Sequence, residues 1–242
     1  MPVRSGLHWI CAAVLTCAAA QFFAVGAEAQ GVTRIKAKLT GFDGQVMTLE
    51  PLAATVAGAA GEPLRVSVSP RTQIVQQQKS FFGALKPGDY AGAAVIESGR
   101  GRLRAQNVYL YADALRGSGE GRFEDGGRLL INGAVSQVTP TSQQDMFDGT
   151  LTLHYRGANL AGGGGKNAVC EGRAVPPSFT SALACSADAR VEVLPGTPVS
   201  TLTLGDPSLL VPGVILTVAL TRQAGGDQAA SGVIVEMPQS SP

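Results

Sequence analysis

The stretch Leu85–Asp89, which reads LKPGD and leads into the apolar run Tyr90–Ile96, decides the predicted fold because a related stretch returns later. The second copy is LVPGV at Leu210–Val214, and it leads into the apolar run Ile215–Leu220. Proline presets φ at the second position of a turn, and glycine accepts positive φ at the third. Each copy therefore predicts a tight turn followed by a strand, and one small β-module is predicted to occur twice.

The spacing of matching residues supports an internal repeat. Pro212-Gly213 matches Pro87-Gly88 at an offset of 125 positions (212 minus 87). Aligning Asp148-Gly149 on Asp43-Gly44 gives an offset of 105 (148 minus 43). We expect the difference of 20 residues (125 minus 105) to fall in one place, an insertion at residues 157–189. Loops of this length in compact domains are usually functional or disordered.

Short segments of alternating apolar and polar residues predict antiparallel strands with one wet face. An Asp-Gly turn at Asp43-Gly44 predicts the first hairpin, because glycine accepts the positive φ of such turns. Phe81–Leu85 is predicted to form one helical turn, with Phe81 and Phe82 as core plugs at the end of a small barrel. Closure into a barrel removes the exposed edges of such a sheet.

We therefore predict an all-β fold made of two tandem five-stranded OB-like barrels. The first module is expected at residues 30–115 and the second at residues 129–238. A glycine-rich, charged stretch at residues 116–128 is predicted to be the linker between them. Its glycines do not match a dinucleotide-binding loop, because Arg122 occupies the position of the last glycine in GxGxxG.

The first 29 residues are predicted to be a signal peptide. Arg4 supplies the positive charge, the stretch from Leu7 to Gly26 is largely apolar, and Ala27-Glu28-Ala29 fits the small-x-small cleavage pattern. Alternative interpretations are a retained membrane anchor and a lipoprotein modified at Cys17. Cleavage before Gln30 would place the mature protein in the periplasm, without a membrane span.

Two of the four cysteines, Cys170 and Cys185, lie outside the predicted signal peptide. An even number of cysteines in an exported protein is typical of a disulfide. A metal site with two thiolate ligands is the alternative, although no histidine or CxxC spacing accompanies the pair. We predict a disulfide between Cys170 and Cys185 within the insertion.

Residues with the chemistry of an active site are few. His154 is the single histidine after the signal peptide, and Asp145 and Asp148 are the weak candidates for metal ligands beside it. The two aspartates are also ordinary residues of a hairpin turn. No catalytic group and no cofactor site is predicted, so we expect the protein not to be an enzyme.

Charge does not favour a nucleic-acid partner. Lysine and arginine total 19 against 18 acidic residues, so the net charge is +1, and aromatic residues make up 5% of the chain. A local basic hairpin contains Arg100, Arg102 and Arg104, and its structural interpretation is a solvated edge that discourages strand pairing. Proteins that bind single strands combine basic grooves with exposed aromatic side chains, which this composition does not predict.

The residues that carry the repeat resemble a family of exported proteobacterial proteins built from the domain of unknown function called DUF5666, here in two copies. The resemblance depends on the strands around Asp43-Gly44, on LKPGDY, on RLRAQNVYLYADALRGSGEG and on the second-copy segments GTPV and GDPSLLVPGV. It covers residues 32–121 and 189–235. It implies small OB-like barrels in a periplasmic protein without an established activity. The cysteine-bearing insertion departs from the family pattern.

Taken together, these patterns favour a periplasmic, non-enzymatic binding or scaffold module. Its partner is expected to be a periplasmic protein or a small ligand that contacts the barrel faces or the insertion. The alternative is a metal-binding accessory protein or hydrolase that uses His154 with Asp145 or Asp148.

The disulfide can be tested directly. Denatured, unreduced mature protein should show no free thiol when titrated with a thiol reagent, while the reduced protein should show both cysteines. In the chain-entropy model, closing a loop of this length stabilises the protein by about 3 kcal/mol. Two reactive thiols in the unreduced sample would contradict the prediction.

Overall fold

Alternating side chains give β-strands along most of the chain that the computed structural model describes. The described residues are 33–53, 62–99, 101–125, 128–142, 146–156, 169–170, 173–174, 186–223 and 226–238. In β1, residues at odd positions from Ile35 to Leu39 are buried and those between them are exposed, as the sequence predicts. The all-β class is confirmed.

In the part of the chain that the structure describes, seven strands precede residue 126: β1 (Thr33–Phe42), β2 (Val46–Pro51), β3 (Leu64–Ser67), β4 (Gln73–Ser80), β5 (Tyr90–Ser98), β6 (Arg102–Tyr111) and β7 (Gly121–Asp125). Eight follow: β8 (Arg128–Pro140), β9 (Gly149–Arg156), β10 (Val169–Cys170), β11 (Arg173–Ala174), β12 (Ser186–Val193), β13 (Val199–Leu204), β14 (Ile215–Arg222) and β15 (Gln228–Glu236). Short 3₁₀ turns occupy Phe82–Ala84, Asp113–Leu115 and Pro207–Leu209. Within these described ranges, no helix has the length and apolar character needed to cross a membrane.

Thirteen of the described strands form one mixed sheet, in the order β12-β9-β8-β5-β6-β13-β4-β15-β14-β1-β2-β3, with β7 beside β8. Two further pairings, β12 with β6 and β15 with β3, return the sheet onto itself. The first closes a ring of β5, β6, β12, β9 and β8, which we call the central ring. The second closes a ring of β1, β2, β3, β15 and β14, which we call the terminal ring.

The prediction of two tandem barrels was wrong, because the strands of residues 30–115 are divided between both rings. The central ring is built from the continuous segment 90–193, whereas the terminal ring joins residues 33–67 to residues 215–236. Local patterns do not distinguish these arrangements. Ile35 pairs with Val218 and Ile131 pairs with Ala93, and these two partners are counterparts at the offset of 125 (218 minus 93). β14 and β5 therefore offer β1 the same pairing register.

Part of the predicted linker at residues 116–128 is a strand. β7 pairs with β8 from Gly121 opposite Asn132 to Asp125 opposite Arg128. Its sequence, GRFED, has one large apolar residue and therefore carries no alternating pattern from which a strand could be predicted. The segment therefore belongs to the wall of the central ring.

A pseudo-twofold axis relates the two copies and passes through the antiparallel pair of β4 and β13. Gln77 pairs with Leu202, its own counterpart at the offset of 125 (202 minus 77). On either side of the axis, Val233 pairs with Ile74 and Val199 pairs with Val108 in parallel ladders, and these pairs exchange under the same offset. The two copies thus associate as two symmetric subunits would.

The registers place the extra residues of the second copy at two sites: the predicted insertion between β9 and β12, and the β8–β9 hairpin, which was not predicted to be longer. Residues with equivalent pairing partners in the two rings differ in number by 96 between β1 and β8 (131 minus 35). Between β2 and β9 they differ by 104 (153 minus 49). The third strands differ by 125 (191 minus 66). Eight extra residues therefore lie in the β8–β9 hairpin and 21 between β9 and β12.

Each ring encloses its own apolar core. Buried residues of the central core run from Phe82 to Val199 without contribution from the ends of the described chain. The terminal core combines Ile35 to Ile74 with Leu210 to Val235. A smaller buried cluster contains Val75, Leu115 and Leu202, and Tyr109 and Tyr111 pack against it. Burial raises the pKa of Tyr111 to about 12.

Fragment folding distinguishes this arrangement from tandem barrels. A fragment of residues 81–200 contains every buried residue of the central core, so it should unfold cooperatively in urea as a monomer. A fragment of residues 30–115 lacks β14 and β15 and should show no cooperative transition. Circular dichroism and size-exclusion chromatography provide the measurements. A cooperatively folded monomer of residues 30–115 would contradict the exchanged topology.

Candidate functional site

An exposed cluster of large apolar side chains lies at one end of the central ring. Phe81 is 50% exposed, Met146 41% and Phe147 62%. The rings of Phe81 and Phe147 are 6.4 Å apart between centroids and are tilted by 57°. We call these three residues the apolar patch.

The patch is positioned by the 3₁₀ turn that closes the end of the ring. Phe82 and Leu85 are buried in the central core, while Phe81 precedes the turn with extended backbone (φ −140°, ψ 160°) and is half exposed. The prediction that Phe82 plugs the core is confirmed, and the same prediction for Phe81 was wrong. Neighbouring residues at the start of a turn point in different directions, so only one of the two rings enters the core.

Gly83 brings the hairpin against this turn. Its N–H donates to the carbonyl oxygen of Met146 at 2.8 Å. A Cβ at Gly83 would lie 2.6 Å from the Cβ of Met146, closer than side chains pack. The eight extra residues of the β8–β9 hairpin therefore place Met146 and Phe147 beside Phe81 through a contact that requires glycine.

The equivalent end of the terminal ring lacks the aromatic residue, although Leu204 and Val211 are exposed on either side of its 3₁₀ turn Pro207–Leu209. The counterpart of Phe81 at the offset of 125 is Asp206 (206 minus 81), whose carboxylate accepts from the N–H of Ser208 at 2.8 Å. Hydrogen bonds from Ser208 lower the pKa of Asp206. In the shorter β1–β2 hairpin, the carboxylate of Asp43 accepts from the N–H groups of Gln45 and Val46 at 2.9 and 2.7 Å. One end thus completes its turns with capping carboxylates, and the other carries the apolar patch.

His154 lies on β9 with its Nδ1 2.8 Å from Oδ1 of Asp188 on β12, and both side chains are exposed. Asp148 precedes the other end of β9, six residues away, which is about 20 Å along an extended strand. His154 and Asp148 therefore cannot bind the same metal ion, and Asp145 lies outside the described residues. Sequence reasoning missed Asp188 because its pairing with His154 depends on strand register. Within the described ranges, no three potential metal ligands form a cluster.

The predicted disulfide remains a prediction. Cys170 lies in β10, which pairs with β11, and Cys185 lies outside the described residues. Most of the insertion at residues 157–189 is also outside them, and its proposed binding role is not tested by the structure.

The glycine-rich residues 116–121 are anchored rather than free as a linker would be. The hydroxyl of Tyr90 donates to the carbonyl of Ser118 at 3.2 Å. The guanidinium of Arg156 donates to both carboxylate oxygens of Glu120, at 2.9 and 2.7 Å, and the Glu120 side chain is only 10% exposed. This bond raises the pKa of Arg156. A bidentate pair of this kind fixes geometry as well as charge, so the segment holds β7 against β9.

Comparison with known protein families, with curated proteins and with solved structures finds no match for this chain.

The close approach at Gly83 gives a testable consequence. Gly83→Ala should lower the free energy of unfolding by about 1–3 kcal/mol, because the added methyl group pushes Met146 away. Gly99→Ala is the matched control, since nothing lies within 4 Å of a Cβ there, and its effect should stay within about 0.5 kcal/mol. Urea unfolding of both variants measures the difference. Equal stability of the two variants would contradict the contact.

Proposed function

We propose that this protein is an exported, non-enzymatic binding module whose protein partner contacts the apolar patch. The supporting observation is that Phe81, Met146 and Phe147 are exposed together at one ring end, whereas the symmetric end has Asp206 in place of Phe81. Exposed apolar clusters of this kind usually mark interaction sites, because water contact with large apolar side chains is unfavourable.

The strand arrangement supports the same location. In OB-like barrels, ligands contact the loop between the first and second strands and the faces of the second and third. In the central ring, this loop joins β8 to β9 and carries Met146 and Phe147. The proposal thus assigns the OB-like binding position to the central ring, with the terminal ring as its symmetric support.

The size of the patch limits the kind of contact. Three partly exposed side chains offer far less than the roughly 800 Å² per partner of a standard stable interface. Aromatic anchors can nevertheless contribute most of the binding energy when a partner surrounds them. The expected partner therefore presents a small apolar pocket or side chain to Phe81 and Phe147.

A comparative pull-down tests this function. Mature protein carrying Phe81→Ser and Phe147→Ser should lose its partner from a periplasmic extract by about tenfold or more, measured by quantitative mass spectrometry. The control carries Leu204→Ser and Val211→Ser, since each of these residues is 51% exposed. It should retain the partner.

Unchanged recovery by the patch variant would reject the proposal. The melting temperatures of both variants should match that of the wild type, because the substituted side chains are half exposed. A loss of binding without a loss of stability assigns the effect to the surface.

A further inference from the structure

A second surface of the central ring carries three arginines around one carboxylate. Arg102 and Arg104 lie on β6 and Arg190 lies on β12, and all three are on the exposed side of their alternating strands. Glu192 is the fourth member and is partly buried. We call these four residues the arginine cluster.

Strand register brings them together. β6 and β12 are parallel neighbours, with Glu192 directly opposite Arg104 and Val191 opposite Leu103. The guanidinium of Arg102 lies 3.6 Å from the carboxylate of Glu192, and Arg190 is two residues from Glu192 along β12. Neighbouring strands are about 4.8 Å apart, and alternate residues of one strand about 6.6 Å apart. Because β6 pairs with β12 at Leu103 and Arg104, the interpretation of the basic hairpin as an edge that discourages strand pairing was wrong.

The cluster carries a charge of +2 (three arginines minus one glutamate) within a chain whose net charge is +1. Like charges on neighbouring strands repel one another and weaken the sheet. The fold does not need them, because the counterparts of Arg102, Arg104 and Glu192 on the terminal ring are Asp227, Ala229 and Ser67. The counterpart of Arg190 is Arg65, so the corresponding surface has no net positive charge.

Hydroxyl groups extend the surface. Thr150 pairs with Glu192 and Thr152 pairs with Arg190, and both threonines are partly exposed. Guanidinium groups bind carboxylates and sulfates in bidentate geometry, and threonine hydroxyls exchange hydrogen bonds with sugar hydroxyls. Among the described residues of β9 and β12, no phenylalanine, tyrosine or tryptophan is exposed for base stacking, and the exposed imidazole of His154 is hydrogen-bonded to Asp188. The edges of β6 and β12 meet each other here, which leaves no ladder for an added peptide strand at these residues.

We propose that the arginine cluster binds an acidic polysaccharide. Arg102, Arg104 and Arg190 contact its carboxylate or sulfate groups, and Thr150 and Thr152 contact its hydroxyls. Glu192 orients Arg102 in the absence of the ligand and competes with the bound anion.

Binding to defined polymers tests this site in the full mature chain. Polygalacturonate supplies carboxylates and heparin supplies sulfates, with dextran as the neutral control. Polyglutamate and a single-stranded oligonucleotide represent acidic protein and nucleic acid. The wild type should bind at least one acidic polysaccharide about tenfold more tightly than polyglutamate or the oligonucleotide, and should not bind dextran.

Charge-matched variants locate the effect. A variant with Arg102→Gln, Arg104→Gln and Arg190→Gln should weaken polysaccharide binding by about tenfold or more. Glu192→Gln should strengthen it several-fold. The control replaces Arg65, Arg71 and Arg222, which are also exposed, by glutamine and should bind as the wild type does. The double variant of Phe81 and Phe147 should also retain polysaccharide binding, so failure of this proposal is distinguishable from failure of the partner site.

Three results would overturn the inference: no binding to either acidic polysaccharide, tighter binding to polyglutamate or the oligonucleotide, or equal losses in the two triple-arginine variants. Circular dichroism of each variant confirms the fold, so a loss of binding is assigned to the surface.

Discussion

The antiparallel pairing of β4 with β13 is the interaction on which the rest of the structure depends. Six residue pairs, from Val199 opposite Ser80 to Leu204 opposite Val75, join the two copies at the pseudo-twofold axis. This pairing places β6 beside β13 and β15 beside β4, and so directs each chain end toward its ring. Buried apolar residues then close both cores. Without the β4–β13 ladder, nothing in the local registers would select the exchanged partners.

A symmetric scaffold makes the differences between its halves informative. Where both copies need a residue for folding, the residue or its chemistry returns at the same offset, as in the Pro-Gly turns. Phe81 against Asp206, and Arg102 against Asp227, break this correspondence on exposed surface. Both departures, together with the eight extra hairpin residues, occur on the central ring. Stability accounts for the shared positions, whereas the exposed side chains of Phe81 and Arg102 lie outside both cores and are the better candidates for binding.

Sequence patterns predicted many of the strands, the Asp43-Gly44 hairpin and the buried Phe82, because each depends on residues that are close in the chain. The five strands predicted for each module did not include β4 or β13. They did not predict which copy completes each ring, since Val218 and Ala93 offer β1 and β8 equivalent pairings. The residues of the candidate sites were likewise predicted only in part. Phe81 was assigned to the core because composition does not reveal side-chain direction, and Arg190 was missed because it joins Arg102 and Arg104 only through a parallel pairing of distant strands.

The exchanged topology also implies an order of assembly. The central ring draws on one continuous segment, so its strands are separated by fewer residues than those of the terminal ring and lose less chain entropy on pairing. The terminal ring must bring residues 33–67 together with residues 215–236, and a folded central ring shortens that effective separation by holding β4 near β13. Formation of the central ring first therefore lowers the entropic cost of closing the terminal ring. It also follows that the first three strands have no complete core until the last two are available. In a chain exported from its N-terminus, as the signal-like segment predicts, the terminal ring would be the last part to close.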